Sequence, residues 1–108
     1  MRVAIICHGS VGAGLGHLFR SRTFAKYSRS QTVTRVFTII ESGLENIFYD
    51  LKDITKFHYD QSCVLSDVSN FKPDVIVFDM LEIEEPFFSK LEELSSLKVS
   101  ISPIFNMM

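Results

Sequence analysis

Apolar positions along this chain follow two rhythms. "RVAIICH" (2–8), "VTRVFTII" (33–40) and "PDVIVFD" (73–79) are almost continuous apolar or β-branched runs, the pattern of strands covered on both faces. "ITKFHY" (54–59) and "LKVSIS" (97–102) are shorter and predict two further strands. Between these runs the apolar positions recur every three or four residues. His17, Leu18, Ser21, Phe24, Ala25 and Ser28 share one side of a helix predicted over 17–28, a small and apolar face. "GLENIFYDL" (43–51) predicts a second helix, and "QSCVLSDVSNF" (61–71) fits a short one. "EEPFFSKLEELSS" (84–96) predicts another, with Pro86 in its first turn and Phe87, Phe88, Leu91 and Leu94 as its apolar face.

Strands that alternate with helices argue for an α/β domain with a parallel sheet. Right-handed crossovers then leave few topologies. The expectation is a single Rossmann-like, three-layer domain over 1–108, with about five strands in the order 3-2-1-4-5. In such sheets a ligand lies beyond the carboxyl ends of the strands, where the strand order reverses. That rule places the loop after the first strand, and Asp79 at the end of the fourth, on opposite sides of one crevice.

The loop is the least ordinary stretch of the chain. In "HGSVGAGLGHLFR" Gly9, Gly12, Gly14 and Gly16 precede His17 and Arg20. A glycine-rich turn lets backbone N–H groups approach an anion, and the following helix N-terminus adds about half a positive charge. A cation there opposes the helix dipole by about 0.3–1 kcal/mol, so Arg20 is better placed for a phosphate or carboxylate than for structure. Both side chains are expected to face the crevice, and truncating either to Ala is expected to cost less than about 1 kcal/mol. The dinucleotide fingerprint needs a small residue three positions after its second glycine. Here that position is His17 or Phe19, and both fail. Glu41 imitates the acid that binds a ribose, but it follows Gly16 by 25 residues, later than the usual ~20. No Gly-Lys-Ser/Thr follows the glycines, which excludes a phosphate-loop NTPase.

Composition narrows the class. The apolar share of 46 % provides ample core for 108 residues. No apolar run approaches the ~20 residues of a membrane span, and "MRVAIIC" is no signal peptide. A cytoplasmic protein with two idle thiols, Cys7 and Cys63, is therefore expected. The net charge of −2 hides a segregation. Met1 to Ile40 contains no acid and carries Arg2, Arg20, Arg22, Lys26, Arg29 and Arg35, whereas all thirteen acids follow. Segregation of this kind points to an anionic partner, and makes the basic helix a candidate for peripheral contact with a membrane surface. Arg22, Lys26 and Arg29 have the spacing of a solvated helix face, which explains them without a ligand.

Other candidates carry less. Glu82, Glu84 and Glu85 precede the Pro86 helix, where acids favour the helix dipole, and they lack a neighbouring histidine for a metal. His58 and Cys63 have no second pair to complete a zinc site. His8 ends the first strand and either lines the crevice or is a hydrogen-bonded strand-end residue. Ser10 lacks a nucleophile elbow. The basic residues are not interleaved with aromatics on a strand, so nucleic acid is not implied. No metal and no cofactor are expected.

The run from Arg2 to Ser28 resembles the opening of B-type, two-Rossmann-domain glycosyltransferases and their nucleotide-sugar hydrolase relatives. The shared features are a first strand, a glycine-rich loop and G-x-G-H-x-x-R, here Gly14-Leu15-Gly16-His17-Leu18-Phe19-Arg20. It is similar above all to predicted bacterial and archaeal glycosyltransferases, and to the lipid-linked N-acetylglucosaminyl transferases of cell-wall synthesis. "KPDVIVFD", a helix and "LKVSIS" match the later strands of the same domain. The resemblance implies that the N-terminal domain binds the acceptor and a second domain binds the nucleotide-sugar donor. His17 would be the catalytic histidine at the cleft between them, with Gly12, Gly14, Gly16 and Arg20 beside the substrate. Asp79 joins them on its place at the end of the fourth strand. A histidine can serve as the base that a sugar hydroxyl or water needs.

Because family domains are longer, and a donor-binding half follows them, the chain is expected to be an incomplete acceptor-side part of a longer transferase. Alone it would be inactive, and it would self-associate through an apolar end that includes Ile104, Phe105, Met107 and Met108. Two other readings stay open: a nucleotide- or dinucleotide-binding oxidoreductase fragment built on the loop and Glu41, and a non-catalytic α/β interaction subunit.

Overall fold

The computed structural model of the protein describes residues 1–9, 15–40, 43–58, 64–80, 85–94 and 96–100, with only the backbone at 85–88. Five strands, β1 (Arg2–Gly9), β2 (Val33–Ile40), β3 (Thr55–His58), β4 (Val75–Asp79) and β5 (Leu97–Ser100), form one sheet in the order β3-β2-β1-β4-β5. Every neighbouring pair is parallel. The helices are α1 (Gly16–Ser28), α2 (Val64–Phe71) and α3 (Glu85–Glu92). The expected Rossmann-like α/β architecture and strand order are therefore present.

Alternation along the strands divides the core into two layers, one on each face of the sheet. Val3, Ile5, Cys7, Val36, Ile40 and Val77 pack with Leu18 and Ala25 of α1 on one face. Ala4, Ile6, Phe37, Ile39, Ile76 and Phe78 pack with Val64, Val68 and Phe71 of α2 and Leu91 on the other. Both faces of β1 are covered, which is why its sequence reads as an unbroken apolar run.

The inward stripe of α1 is Leu18, Ser21, Ala25 and Ser28. Small residues let the helix lie close to the sheet, and no room is left beneath it for Phe24, which the sequence placed inward but which is 39 % exposed. Gly9 serves the same close approach. A Cβ built there would lie 2.5 Å from Cγ of Leu18, well inside van der Waals contact.

The helix expected over 43–51 is instead a single 3₁₀ turn, Glu45–Phe48, followed by further turns. Its backbone bonds run three residues back, from Ile47 to Leu44, Tyr49 to Asn46, Leu51 to Phe48 and Ile54 to Leu51. A three-residue period puts Phe48, Leu51 and Ile54 on one side, and all three are buried in the α1 layer. An α-helical period would have spread them over an arc of about 120° instead of stacking them. After α2, Lys72 takes a left-handed φ of 54° and Pro73 prevents the helix from continuing.

Candidate functional site: a buried carboxylate shared by His17 and Arg20

The site follows from strand alternation. Val75, Val77 and Asp79 project to the α1 face, and Asp79 comes last, at the carboxyl end of β4. Its register partner on β1 is Cys7, two residues before Gly9 and the loop into α1. The opening turns of α1 therefore lie over Asp79. His17 and Arg20, three residues apart, share one side of the helix and reach the same carboxylate.

The Asp79 side chain is completely buried. Its Oδ1 lies 2.5 Å from Nδ1 of His17. Arg20 donates from Nε to Oδ2 and from Nη2 to Oδ1, each at 2.8 Å, a two-pronged pair that fixes the plane of the carboxylate. Burial by itself pushes the Asp79 carboxyl up. The hydrogen bonds and charges of Arg20 and His17 more than offset this and hold it below the usual carboxylate range. The bond to Asp79 in turn raises the pKa of the Arg20 guanidinium. With an ionised carboxylate at 2.5 Å, Nδ1 must carry the hydrogen, and a neutral His17 then keeps its lone pair on Nε2. Nη2 of Arg20, 3.2 Å from the same Nδ1, is thus a close neighbour and not a donor to it. His17 is 15 % exposed and Arg20 48 %, so the carboxylate is sealed from solvent beneath two side chains that reach it.

Beside Asp79 the floor is polar. Burial pushes the Cys7 thiol up to about 12, against the lowering effect of the Thr38 and Ser21 hydroxyls and with a further rise from the Asp79 charge. Cys7 is thus a packed, protonated thiol and not a nucleophile.

The structure brings His17, Arg20 and Asp79 together, as contacts rather than across a crevice. Gly16 opens α1, with open space where a side chain would begin. Gly12, Gly14, Ser10, Glu41, Cys63, Glu82, Glu84 and the C-terminal residues Ile104, Phe105, Met107 and Met108 lie outside the described residues, as does the side chain of Glu85. His8 is half-buried at the end of β1, on the α2 face, away from the Asp79 side chain.

The cations on the outer side of α1 find partners in this chain. Arg22 and Lys26 pair with Asp50 at 2.7 and 3.1 Å, and Arg29 pairs with Asp53 at 2.5 Å. For these three, the anions implied by the charge segregation stand on the turns between β2 and β3.

Sequence reasoning did not find the His58–Asp67 pair, which ties β3 to α2. His58 is nine-tenths buried, with Nε2 2.8 Å from Asp67, and Lys56 reaches the other oxygen at 3.1 Å. The two residues are nine apart in a stretch without a motif, so the sequence held no signal for it. A hollow of about 220 Å³ beside β2 and β3 is lined by Arg35, Val36, Phe37, Asp53, Ile54, Thr55 and Lys56, and shares no residue with the Asp79 site. Among the described residues no three His, Cys, Asp or Glu group as metal ligands do, and no helix is long and apolar enough to cross a membrane.

No family model matches the chain. It is 33 % identical over 98 residues to an uncharacterized protein of Methanocaldococcus jannaschii. That alignment covers 87 % of this chain and 20 % of the relative, so the chain spans about a fifth of the relative's length. No solved structure matches.

Proposed function

We propose that this chain is the acceptor-binding part of a glycosyltransferase that uses a nucleotide-sugar donor, active only together with a donor-binding half. The observation that supports the reading is the seating of Nδ1 of His17 on the buried Asp79 carboxylate. It leaves Nε2 as the basic atom, at the carboxyl edge of the sheet where the strand order reverses. The G-x-G-H-x-x-R resemblance supplies the substrate class.

In this mechanism an acceptor hydroxyl donates its hydrogen bond to Nε2. As its oxygen bonds to the anomeric carbon of the donor sugar, the hydroxyl proton passes to Nε2. The bond from the anomeric carbon to the diphosphate oxygen breaks, and its electron pair leaves with the nucleoside diphosphate. Asp79 stays ionised and stabilises the imidazolium, a role that needs a carboxylate held rigidly against Nδ1. Water in place of the acceptor hydroxyl would give hydrolysis by the same steps.

The test is nucleoside diphosphate release by the full-length protein, assayed across nucleotide-sugar donors with and without acceptor. His17→Ala is expected to lower the turnover rate by roughly 10²–10⁴ with the fold retained. Full turnover in that variant removes His17 from the chemistry.

A further inference from the structure

The surroundings of Arg20 fit a ligand-binding role poorly. Its Nε and Nη2, the pair of donors on one edge of the guanidinium, are both held by the two oxygens of Asp79. We propose that Arg20 is a positioning residue: it acts through Asp79, keeping that carboxylate charged and in plane so that Oδ1 meets Nδ1 of His17, and it is not a receptor for the anionic part of a ligand. The proposal builds on the reading of His17 as the reacting group and says what holds that group ready.

Three observations carry it. The first is burial. The Asp79 side chain has no exposure, and a carboxylate with no cation in such a place takes up a proton instead. A protonated Asp79 would no longer require the hydrogen on Nδ1, and the imidazole could take either tautomer.

The second is geometry. The His17 contact reaches Oδ1 alone and does not by itself set the plane of the carboxylate. Two parallel contacts to a planar guanidinium set it. Helix spacing makes this possible, because residues 17 and 20 lie side by side on α1 while Asp79 stands at the end of a central strand.

The third is charge. Arg20 cancels Asp79, so with a neutral His17 these three side chains together carry no net charge before reaction. That suits an uncharged hydroxyl at Nε2. An anionic group would need a surplus of positive charge, and Arg20 does not leave one.

The experiment reads the His17 tautomer directly, by long-range ¹H–¹⁵N spectra of the ¹⁵N-labelled chain, at a pH where the imidazole is neutral. The parent is expected to show one species, with hydrogen on Nδ1 and none on Nε2. Arg20→Gln is expected to lose that single species to a mixture of both tautomers, with the backbone amide spectrum kept. Arg20→Lys, which keeps the charge and loses the fork, is expected to fall between the two. Parental His17 resonances in Arg20→Gln would overturn the proposal. Should Arg20→Gln not fold, Arg20→Lys decides: a single parental tautomer there would show that the guanidinium fork is not what holds the carboxylate, and would overturn the proposal.

A second arm titrates the parent with inorganic phosphate. No saturable shift is expected at the Arg20 guanidinium, and a saturating one would make Arg20 the anion receptor. Neither arm depends on sugar transfer. A locked tautomer without transfer leaves this proposal standing and removes the transferase reading, whereas a mixed tautomer in a parent that still transfers removes this proposal and the assignment of Nε2 as the base, but not the transferase activity.

Discussion

His17 and Arg20 meet on Asp79 with unequal consequences for folding. Removing the His17 ring leaves the buried carboxylate still paired with Arg20, so His17→Ala is expected to cost about 1 kcal/mol, one hydrogen bond's worth. Removing the Arg20 guanidinium takes the two-pronged cationic partner from a buried carboxylate. The sequence alone suggested less than about 1 kcal/mol for either change; the structure raises the expectation for Arg20→Ala to about 1–3 kcal/mol, discounted for its half-exposed side chain. Urea titration of both variants checks the order, and equal midpoints would contradict it. Cys7 provides a separate test. A buried thiol with its pKa pushed up to about 12 stays protonated at neutral pH. Peptide mapping after iodoacetamide treatment at pH 8 is expected to find Cys7 unmodified in the folded chain and modified in urea.

At the scale of elements, the packing of α1 decides whether the site exists. Gly9→Ala would drive a methyl group into Leu18, which is itself fully buried. The expected cost is about 1–3 kcal/mol from overpacking, with α1 pushed outward and His17 drawn off Asp79. Leu18→Ala alone removes core volume and costs about 2–5 kcal/mol. Combined, the two changes are expected to cost less than their sum by about 0.5 kcal/mol or more, because the second relieves the first; additive urea midpoints would show that Gly9 and Leu18 do not meet. Strands and helices of this kind were largely legible, since β1, β2 and β4 announce themselves by apolar runs that only a two-sided burial explains. The 43–51 segment was misread because Phe48, Leu51 and Ile54 fit a three-residue period, and a window tuned to 3.6 cannot separate the two over so short a stretch. The site was half legible. Motif spacing gave His17 and Arg20, and strand order gave Asp79, but the sequence could not say that Arg20 turns onto Asp79, because that depends on how closely small residues let α1 settle.

For the molecule as a whole, much of the segregated charge among the described residues meets within the fold, and a further pair forms inside the later segment. The basic α1 face meets Asp50 and Asp53, Lys56 and His58 meet Asp67, and Arg20 and His17 meet Asp79. Each of these four aspartates is held below its ordinary pKa. At Asp79 and Asp50 burial works the other way and is outweighed, at Asp50 by Lys26 and Arg22; at Asp53 the Arg29 bond leads, and at Asp67 the His58 bond does. A group whose pKa is depressed by folding stabilises the native state above its unfolded pKa, and that contribution is lost as pH falls through the folded value. The unfolded carboxyl titrates near pH 4, so stability from these groups should be complete at neutral pH and fall away below about pH 4. The share of each group differs. Asp53 is mostly exposed and its pair is weakened by solvent, whereas Asp79 is sealed and must bury a neutral acid against a guanidinium once protonated. Asp79→Asn is therefore expected to be less stable than the parent at pH 7 but to lose less between pH 5 and pH 3. Asp53→Asn should keep nearly the parental pH dependence. Thermal melts of the three proteins at pH 7, 5, 4 and 3 measure this, and parallel curves for the parent and Asp79→Asn would show that the buried carboxylate does not carry the acid sensitivity.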